Sequence, residues 1–174
     1  VSQQKAKTNL KHARFVQKNL VYVIGLSLTL AREEYLRRAD MFGRFGRIVR
    51  ILVNRAHPYN ADAPGGPSIS AYLQYSRDVD ASAAVRSMNN VVFDGREIRC
   101  AIACTKYCDT FVKNGAHCGN LDCMYVHDVA DPEDVLSRED VLARQLGPPP
   151  PSHLFLPVRR RDPNAARQQQ QAAQ

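Results

Sequence analysis

Three cysteines and one histidine lie close together in the second half of the chain, and their side chains are of the types that bind zinc. Cys108, Cys118, Cys123 and His127 follow the spacing C-x9-C-x4-C-x3-H. Three thiolates and one imidazole complete a tetrahedral zinc shell, and four protein ligands are typical of a structural site. The roughly twenty residues that carry them are too few to bury a core, so metal binding must supply their folding energy. We therefore predict one structural Zn²⁺ ion.

Other interpretations of the cysteines are weaker. Disulfide bonding is disfavoured, because the chain has five cysteines, an odd number, and no secretory signal is seen in front of them. A redox pair would need C-x-x-C, and a zinc deaminase would need H-x-E with P-C-x-x-C; the sequence contains neither. His117 is a competing fourth ligand because it is adjacent to Cys118, but the spacing of His127 after Cys123 lets it close the site, which favours His127. We interpret Cys100 and Cys104 as ordinary sheet residues.

The composition favours a polyanionic partner. The 174 residues include 24 Lys and Arg against 17 Asp and Glu, which gives a net charge of +7. No apolar run approaches the roughly 18–20 residues of a transmembrane helix, so no membrane contact is expected. Free thiols and zinc fit a reducing compartment, cytoplasmic or nuclear. The chain opens with Val1 rather than Met, so we expect a piece of a longer protein that is monomeric on its own.

The chain upstream of the cysteines supplies the elements that would position them. Apolar or alternating runs predict four strands, over residues 20–26, 48–53, 69–75 and 97–103. A broken helical pattern, of one helix or two short ones, covers about residues 31–45, and a second helix covers residues 78–89. Residues 91–96 have the composition of a hairpin turn. The βαββαβ order over residues 19–104 predicts an α+β, ferredoxin-like sandwich, with a four-stranded antiparallel sheet and two helices on one face.

The remaining segments flank this predicted sandwich. Residues 1–18 are a basic N-terminal arm, either a flexible linker or a short helix, and the zinc segment occupies residues 105–130. Residues 131–146 are predicted to form a helix, because an acid and a proline open it. Residues 147–174 are rich in Pro and Gln, and we expect them to be disordered.

Residues 19–104 resemble an RNA recognition motif (RRM). The first signature strand of that family resembles residues 21–26, and the second falls on residues 68–75. The second departs from the family at its first three positions, where Ser, Ile and Ser stand in place of a basic residue, glycine and an aromatic. Tyr22 and Tyr72 remain at positions where the family stacks bases.

The module that follows resembles a CCCH zinc finger, in which an aromatic residue two positions after the third cysteine often stacks a base. Tyr125 occupies that position, and Phe111 is a further candidate; either ring could instead fill the small core of the finger. Over about residues 14–130 the order of motifs is similar to the middle part of the RING-type ubiquitin-ligase subunits of the eukaryotic Not deadenylase complex, the fourth Not protein family. That resemblance implies a role in mRNA turnover and translational control, with other deadenylase-complex subunits as partners. It also implies a ligase RING domain outside this chain.

Strand alternation sorts the predicted sheet into two faces. Facing the helices we expect Val21, Val23, Ala71, Leu73, Tyr75, Ile98, Cys100 and Ile102. The open face would carry Tyr22, Ile24, Arg50, Leu52, Ser70, Tyr72, Gln74 and Arg99. The rings of Tyr22 and Tyr72 offer stacking surfaces, each worth about 1–3 kcal/mol per base, while Arg50, Arg99 and Lys106 can bind phosphates. Only unpaired bases expose their faces, so single-stranded RNA is the predicted partner.

A second hypothesis is kept beside RNA binding. Ile24 and Leu52 are apolar side chains on the predicted open face, and such groups suit a protein partner or a returning helix as well as RNA. Under this hypothesis the degenerate RRM serves mainly as a protein-interaction surface. An enzyme within this chain has little support, because the sequence shows no nucleophile–base pair, phosphate loop or open metal site.

Overall fold

The computed structural model describes residues 9–115 and 118–155, which are built around a five-stranded antiparallel sheet. The strands are β1 (Phe15–Leu26), β2 (Ile48–Tyr59), β3 (Ser68–Tyr75), β4 (Val91–Phe93) and β5 (Arg96–Thr105). Across the sheet they lie in the order β2-β3-β1-β5-β4. The helices are α1 (Glu33–Leu36), α2 (Asp78–Met88), α3 (Asp109–Asn114) and α4 (Arg138–Ala143), with 3₁₀ turns at Phe42–Phe45, Pro132–Asp134 and Ser152–Leu154. Within the described ranges, no helix has the length and apolarity to cross a bilayer.

The main core lies between one face of the sheet and the helices α1 and α2. Alternate residues of the central strands point into it, because side chains on a strand alternate between faces. Val21 and Val23 of β1 and Leu73 of β3 are fully buried there. Tyr75 is also fully buried, and its hydroxyl donates to the Phe42 carbonyl oxygen at 2.8 Å, which satisfies its polar atom. The predicted α+β sandwich, with the helices on one face of an antiparallel sheet, is confirmed.

Two details of this sandwich differ from the sequence prediction. Strand β1 begins at Phe15 rather than Leu20, because its first residues pair with the end of β5 and bury Phe15. The broken helical pattern predicted over about residues 31–45 corresponds to the short α1 followed by the 3₁₀ turn at Phe42–Phe45. Gly43 lies so close to the Arg37 carbonyl oxygen that a Cβ there would clash, so tight packing replaces regular helix. The predicted hairpin turn adds β4 as a fifth strand.

The predicted continuous helix over residues 131–146 is wrong. The chain forms the 3₁₀ turn Pro132–Asp134, then an extended stretch, then α4. Leu136 accounts for the break, because its amide donates to the Arg14 carbonyl oxygen at 2.8 Å and its side chain is buried. Helix α4 therefore starts afresh at Ser137, whose side chain forms a capping box with Asp140.

The prediction of disorder from residue 147 is wrong for residues 147–155. Gly147 forms a parallel bridge with Ala103 of β5, and Pro150 and Phe155 are buried. A segment of low hydrophobicity is disordered when it has no apolar surface to pack against. Residues 147–155 pack against apolar clusters around Tyr72 and Tyr125. Residues 156–174 and residues 1–8 of the predicted basic arm lie outside the described residues, while residues 9–12 of that arm are helical.

Candidate metal centre and nucleic-acid interface

The four predicted zinc ligands come together in the structure. The Sγ atoms of Cys108, Cys118 and Cys123 and a ring nitrogen of His127 all lie within 4.8 Å of one another. Cys118 Sγ is 3.3 Å from His127 Nε2. Ligand atoms bound 2.0–2.3 Å from a shared tetrahedral zinc would be about 3.3–3.8 Å apart, so modest adjustment completes the shell. His117 lies outside the described residues.

Short backbone pairings hold the ligands in this arrangement. Cys108 ends the extended stretch after β5, and its amide donates to the Val126 carbonyl oxygen at 3.0 Å. Val126 in turn donates to the Lys106 carbonyl oxygen at 2.9 Å, which sets His127 beside the first cysteine. Helix α3 follows Cys108 directly and ends at Gly115, whose φ of 67° is left-handed and suits glycine.

The electrostatics of the cluster favour a cation. A hydrogen bond with the Asn120 backbone lowers the pKa of Cys118, whereas burial raises the pKa of Cys123 to about 12. Several thiols packed this closely cannot all ionise without a positive charge between them, since like charges repel. A bound metal cation deprotonates its thiol ligands outright. The donor set and its spacing therefore fit a metal such as zinc.

An aromatic cluster joins this finger to the start of β1. The ring centroids of Phe15 and Tyr107 are 4.9 Å apart at 81°, and Phe111 stacks on Tyr107 at 5.6 Å. The Tyr107 hydroxyl accepts from the Ala130 amide at 3.0 Å. Phe111 is thus part of the packing between finger and strand, and only part of its ring remains accessible.

Arg50 also connects the finger to the sheet. Its guanidinium donates to the Asp122 carbonyl oxygen at 3.0 Å and lies 3.8 Å from the Asp122 carboxylate. Arg50 is on β2 and Asp122 lies between the second and third cysteines, so the pair spans the two modules. A phosphate would have to compete with Asp122 for this side chain.

Tyr22 and Tyr72 lie side by side on the sheet face away from the helices, as predicted. Their ring centroids are 4.9 Å apart, but Tyr72 is only 2% exposed. Residues 147–155, which we call the C-terminal strap, lie against Tyr72, and Met124 of the finger packs in the same apolar cluster. The Tyr72 hydroxyl donates to the carbonyl oxygens of Pro148 and Pro149 at 3.1 and 3.2 Å, and burial raises its pKa. Gly147 packs directly against the ring of Tyr22.

The strap also covers the finger residue predicted to stack a base. Tyr125 is 9% exposed, and its hydroxyl donates to the Pro150 carbonyl oxygen at 2.6 Å. Phe155 packs edge-on against the Tyr125 ring at 4.9 Å, and Lys106 Nζ lies 4.9 Å from the ring centroid on the finger side. Burial raises the pKa of Tyr125 to about 12.

Arg99 is the predicted contact that remains most accessible. Its side chain is 58% exposed, and its partners are Glu97 at 3.5 Å and Asn90 at 3.3 Å, both near the surface. A groove of about 480 Å³ runs between Arg99 and the strap, with Ile24 and Tyr22 on its floor. The strap itself is the part of the site that sequence reasoning missed. The available signal was the pair Leu154 and Phe155, apolar residues three and four positions after the last proline of the run.

Comparisons with known proteins agree with this architecture. Residues 21–99 match the family described as the RNA recognition motif. A general negative regulator of transcription from Schizosaccharomyces pombe is 35% identical over 142 residues, which are 80% of this chain and 28% of that protein. The general negative regulator of transcription subunit 4 of Saccharomyces cerevisiae is 31% identical over 150 residues, 79% of this chain and 25% of its own length.

The chain therefore spans only about a quarter of the length of these two relatives. Among solved structures, the Mip6 RRM3 domain aligns with 51% of this chain and 95% of its own chain, at 17% identity and a TM-score of 0.40.

Proposed function

We propose that this chain binds single-stranded RNA, because residues 21–99 match the RNA recognition motif and the chain is related to subunit 4 of the general negative regulator of transcription. The observation that carries the proposal is the sheet itself. Tyr22 and Tyr72 lie next to each other on the face that the helices leave uncovered. Two adjacent rings of this kind suit two unpaired bases, and stacking contributes about 1–3 kcal/mol per base.

Charge would supply the rest of the affinity. The chain carries a net charge of +7, and Arg99 stands at the rim of the tyrosine face with most of its side chain exposed. Lys106 lies at the junction of sheet and finger, where a strand of RNA leaving the sheet would pass. Contacts of this kind bind phosphate regardless of sequence and weaken as salt rises.

The metal centre serves as the organiser of the finger in this proposal. Cys108, Cys118, Cys123 and His127 would hold one zinc ion, which fixes the finger against β1 and completes the basic surface. All four positions are protein ligands, so such an ion has no open site for chemistry. We assign no catalytic residue to this chain.

We place the module in a larger regulator of mRNA. The relatives' names support a regulatory subunit, and the order of motifs resembles the RING-type ligase subunits of the Not deadenylase complex. In such a protein this module would bring the ligase and the deadenylase subunits to an mRNA in the cytoplasm or nucleus. The ligase activity would belong to the parent protein, outside the chain described here.

A fluorescence anisotropy titration tests the proposed function. Labelled mixed-sequence single-stranded RNA and the corresponding duplex are titrated with the full chain at several salt concentrations. We expect preference for the single strand and weaker binding at higher salt. Tyr22→Ala should weaken binding by about 1–3 kcal/mol, the value of one lost stacking contact. Tyr35→Ala is the matched control, because Tyr35 lies on α1 behind the sheet.

The proposal fails if the single strand gains nothing over the duplex and Tyr22→Ala binds as tightly as the original chain. That outcome would favour the alternative, an RRM face used for protein contact. A specific observation keeps this alternative in view: the face already holds a polypeptide, the strap, through tyrosine hydroxyls and proline carbonyls.

A further inference from the structure

The strap and a stacked base need the same surface. Tyr72 is 2% exposed: Pro148 and Pro149 of the strap accept its hydroxyl hydrogen, and Leu154 of the strap and Met124 of the finger pack in the same apolar cluster. A base stacks on a ring face at van der Waals distance, so it cannot reach a ring that another segment already covers. The RRM fold therefore carries its stacking residues in a covered state.

Tyr22 is restricted in the same way by Gly147. A Cβ built on Gly147 would lie 2.7 Å from Tyr22 Cβ and 2.8 Å from its Cδ1 atom. The glycine backbone thus sits directly on this side chain, and any side chain at position 147 would push the strap away from it. Gly147 has no left-handed φ, so this close approach explains why glycine suits the position.

The strap is held by contacts that can be broken without disturbing the main core. It pairs with β5 through two backbone hydrogen bonds, from Gly147 N to the Ile102 carbonyl oxygen at 2.8 Å and from Cys104 N to the Gly147 carbonyl oxygen at 2.9 Å. Farther along, Asn120 donates to the Phe155 carbonyl oxygen at 3.1 Å. The described residues of the main core, on the opposite face of the sheet, include none from the strap. Segments attached in this way open locally at less than the free energy of global unfolding.

We propose that the strap is an intramolecular competitor of RNA, which must leave Tyr22 and Tyr72 before bases can stack on them. This inference rests on the proposed RNA-binding function and adds its regulation. The apparent affinity for RNA is the affinity of the open form multiplied by the fraction of molecules that are open. A contact that holds the strap closed therefore weakens RNA binding, and its removal strengthens it.

Two substitutions in the full chain test this prediction. Each disturbs a contact of the strap, yet each should strengthen RNA binding rather than weaken it. Gly147→Ala places a methyl group against Tyr22 and so disfavours the closed strap. A tenfold rise in the fraction of open molecules should raise RNA affinity about tenfold. Tyr72→Phe keeps a ring that can stack but removes the hydroxyl that bonds to Pro148 and Pro149, and should raise affinity about fivefold. Ser152→Ala is the control, because Ser152 is an exposed strap residue.

Hydrogen exchange on the unsubstituted chain gives a second measurement, which avoids any effect of a substitution on folding. The amide hydrogens of Gly147 and Cys104 are protected only while the strap is paired with β5. Saturating single-stranded RNA should make both exchange faster, while the Leu73 amide in the centre of the sheet keeps its protection.

The outcomes separate this inference from the proposed function. If the original chain binds RNA, but both variants bind no more tightly and RNA leaves the Gly147 amide protected, the strap does not compete and the inference is overturned. RNA would then bind beside the strap, in the groove at Arg99. If neither the original chain nor any variant binds RNA, the proposed function fails and the inference falls with it.

Discussion

Replacing one metal ligand should release the finger and loosen the strap while leaving the sandwich folded. Cys123→Ser removes one of four ligands from a cluster whose donor atoms lie within 4.8 Å of one another. Within residues 118–127 only Tyr125 is buried, so the metal is the main constraint on this part of the finger. We therefore expect residues 118–127 to lose their fixed arrangement. Tyr125 would then no longer anchor Pro150 and Phe155.

The size of this effect follows from comparing the zinc-binding free energy of a finger with the folding free energy of a whole domain. Structural zinc contributes about 10–16 kcal/mol of apparent binding free energy in finger peptides, which is as large as the whole stability of a typical domain. Among the described residues, the eighteen buried ones of the main core all lie between Val21 and Cys100, so their packing does not depend on the metal. The sandwich should therefore keep most of its stability, and unfolding should no longer be a single transition.

Native mass spectrometry and hydrogen exchange measure both parts of this prediction. The original chain should bind one zinc ion, and Cys123→Ser should bind less than one equivalent and exchange the amides of Cys108 and Gly147 faster. Cys104→Ser is the matched control, since Cys104 is buried in β5 outside the cluster and should leave zinc binding complete. A full zinc equivalent in Cys123→Ser would refute the ligand assignment. Unchanged exchange at Gly147 would show that the strap is held by the sheet alone.

Three further predictions concern the core, the groove and the buried thiol. Tyr75→Phe leaves the buried Phe42 carbonyl oxygen without its donor, so the free energy of unfolding should fall by about 1–3 kcal/mol. Calorimetry should show a lower melting temperature, and an unchanged melting temperature would contradict this prediction. Arg99→Ala should reduce the salt dependence of RNA binding by about one unit of log–log slope, whereas Arg86→Ala, on α2, should not; equal slopes would exclude the Arg99 contact. Burial raises the pKa of Cys100 to about 12, so its thiol is neutral at about pH 8. It should therefore resist alkylation by iodoacetamide until the chain unfolds. Rapid labelling of the native protein would show instead that strand β5 opens.

The sandwich could be predicted from the sequence because its determinants are local. Side chains alternate along each strand, so the inward positions of Val21 and Val23 follow from their spacing, and both are fully buried. The clustering of Cys108, Cys118, Cys123 and His127 could be predicted for a similar reason, since three cysteines and a histidine within one short run have few other uses. In both cases a short window of sequence contains the whole physical argument.

The strap could not be predicted, because its stability comes from contacts distant in sequence. Tyr72 and the prolines that cover it are separated by more than seventy positions, and a local composition rich in proline indicates disorder. The helix predicted over residues 131–146 failed for the same reason. Leu136 pairs with Arg14 from the opposite end of the chain, and this pairing overrides local helix propensity.

Aromatic and cationic groups of the site differ in exposure, which implies an order of events if RNA is the ligand. The rings of Tyr72 and Tyr125 are buried by the strap, whereas Arg99 is largely exposed. A polyanion can therefore meet the charges first, without any change in the protein, and this contact is insensitive to sequence and weakened by salt. Bases can stack only after the strap has moved. Stacking therefore adds to affinity only when its free energy exceeds that of the strap contacts that are lost. Discrimination between RNA sequences would then reside in the opening step, because phosphate contacts alone carry no base information.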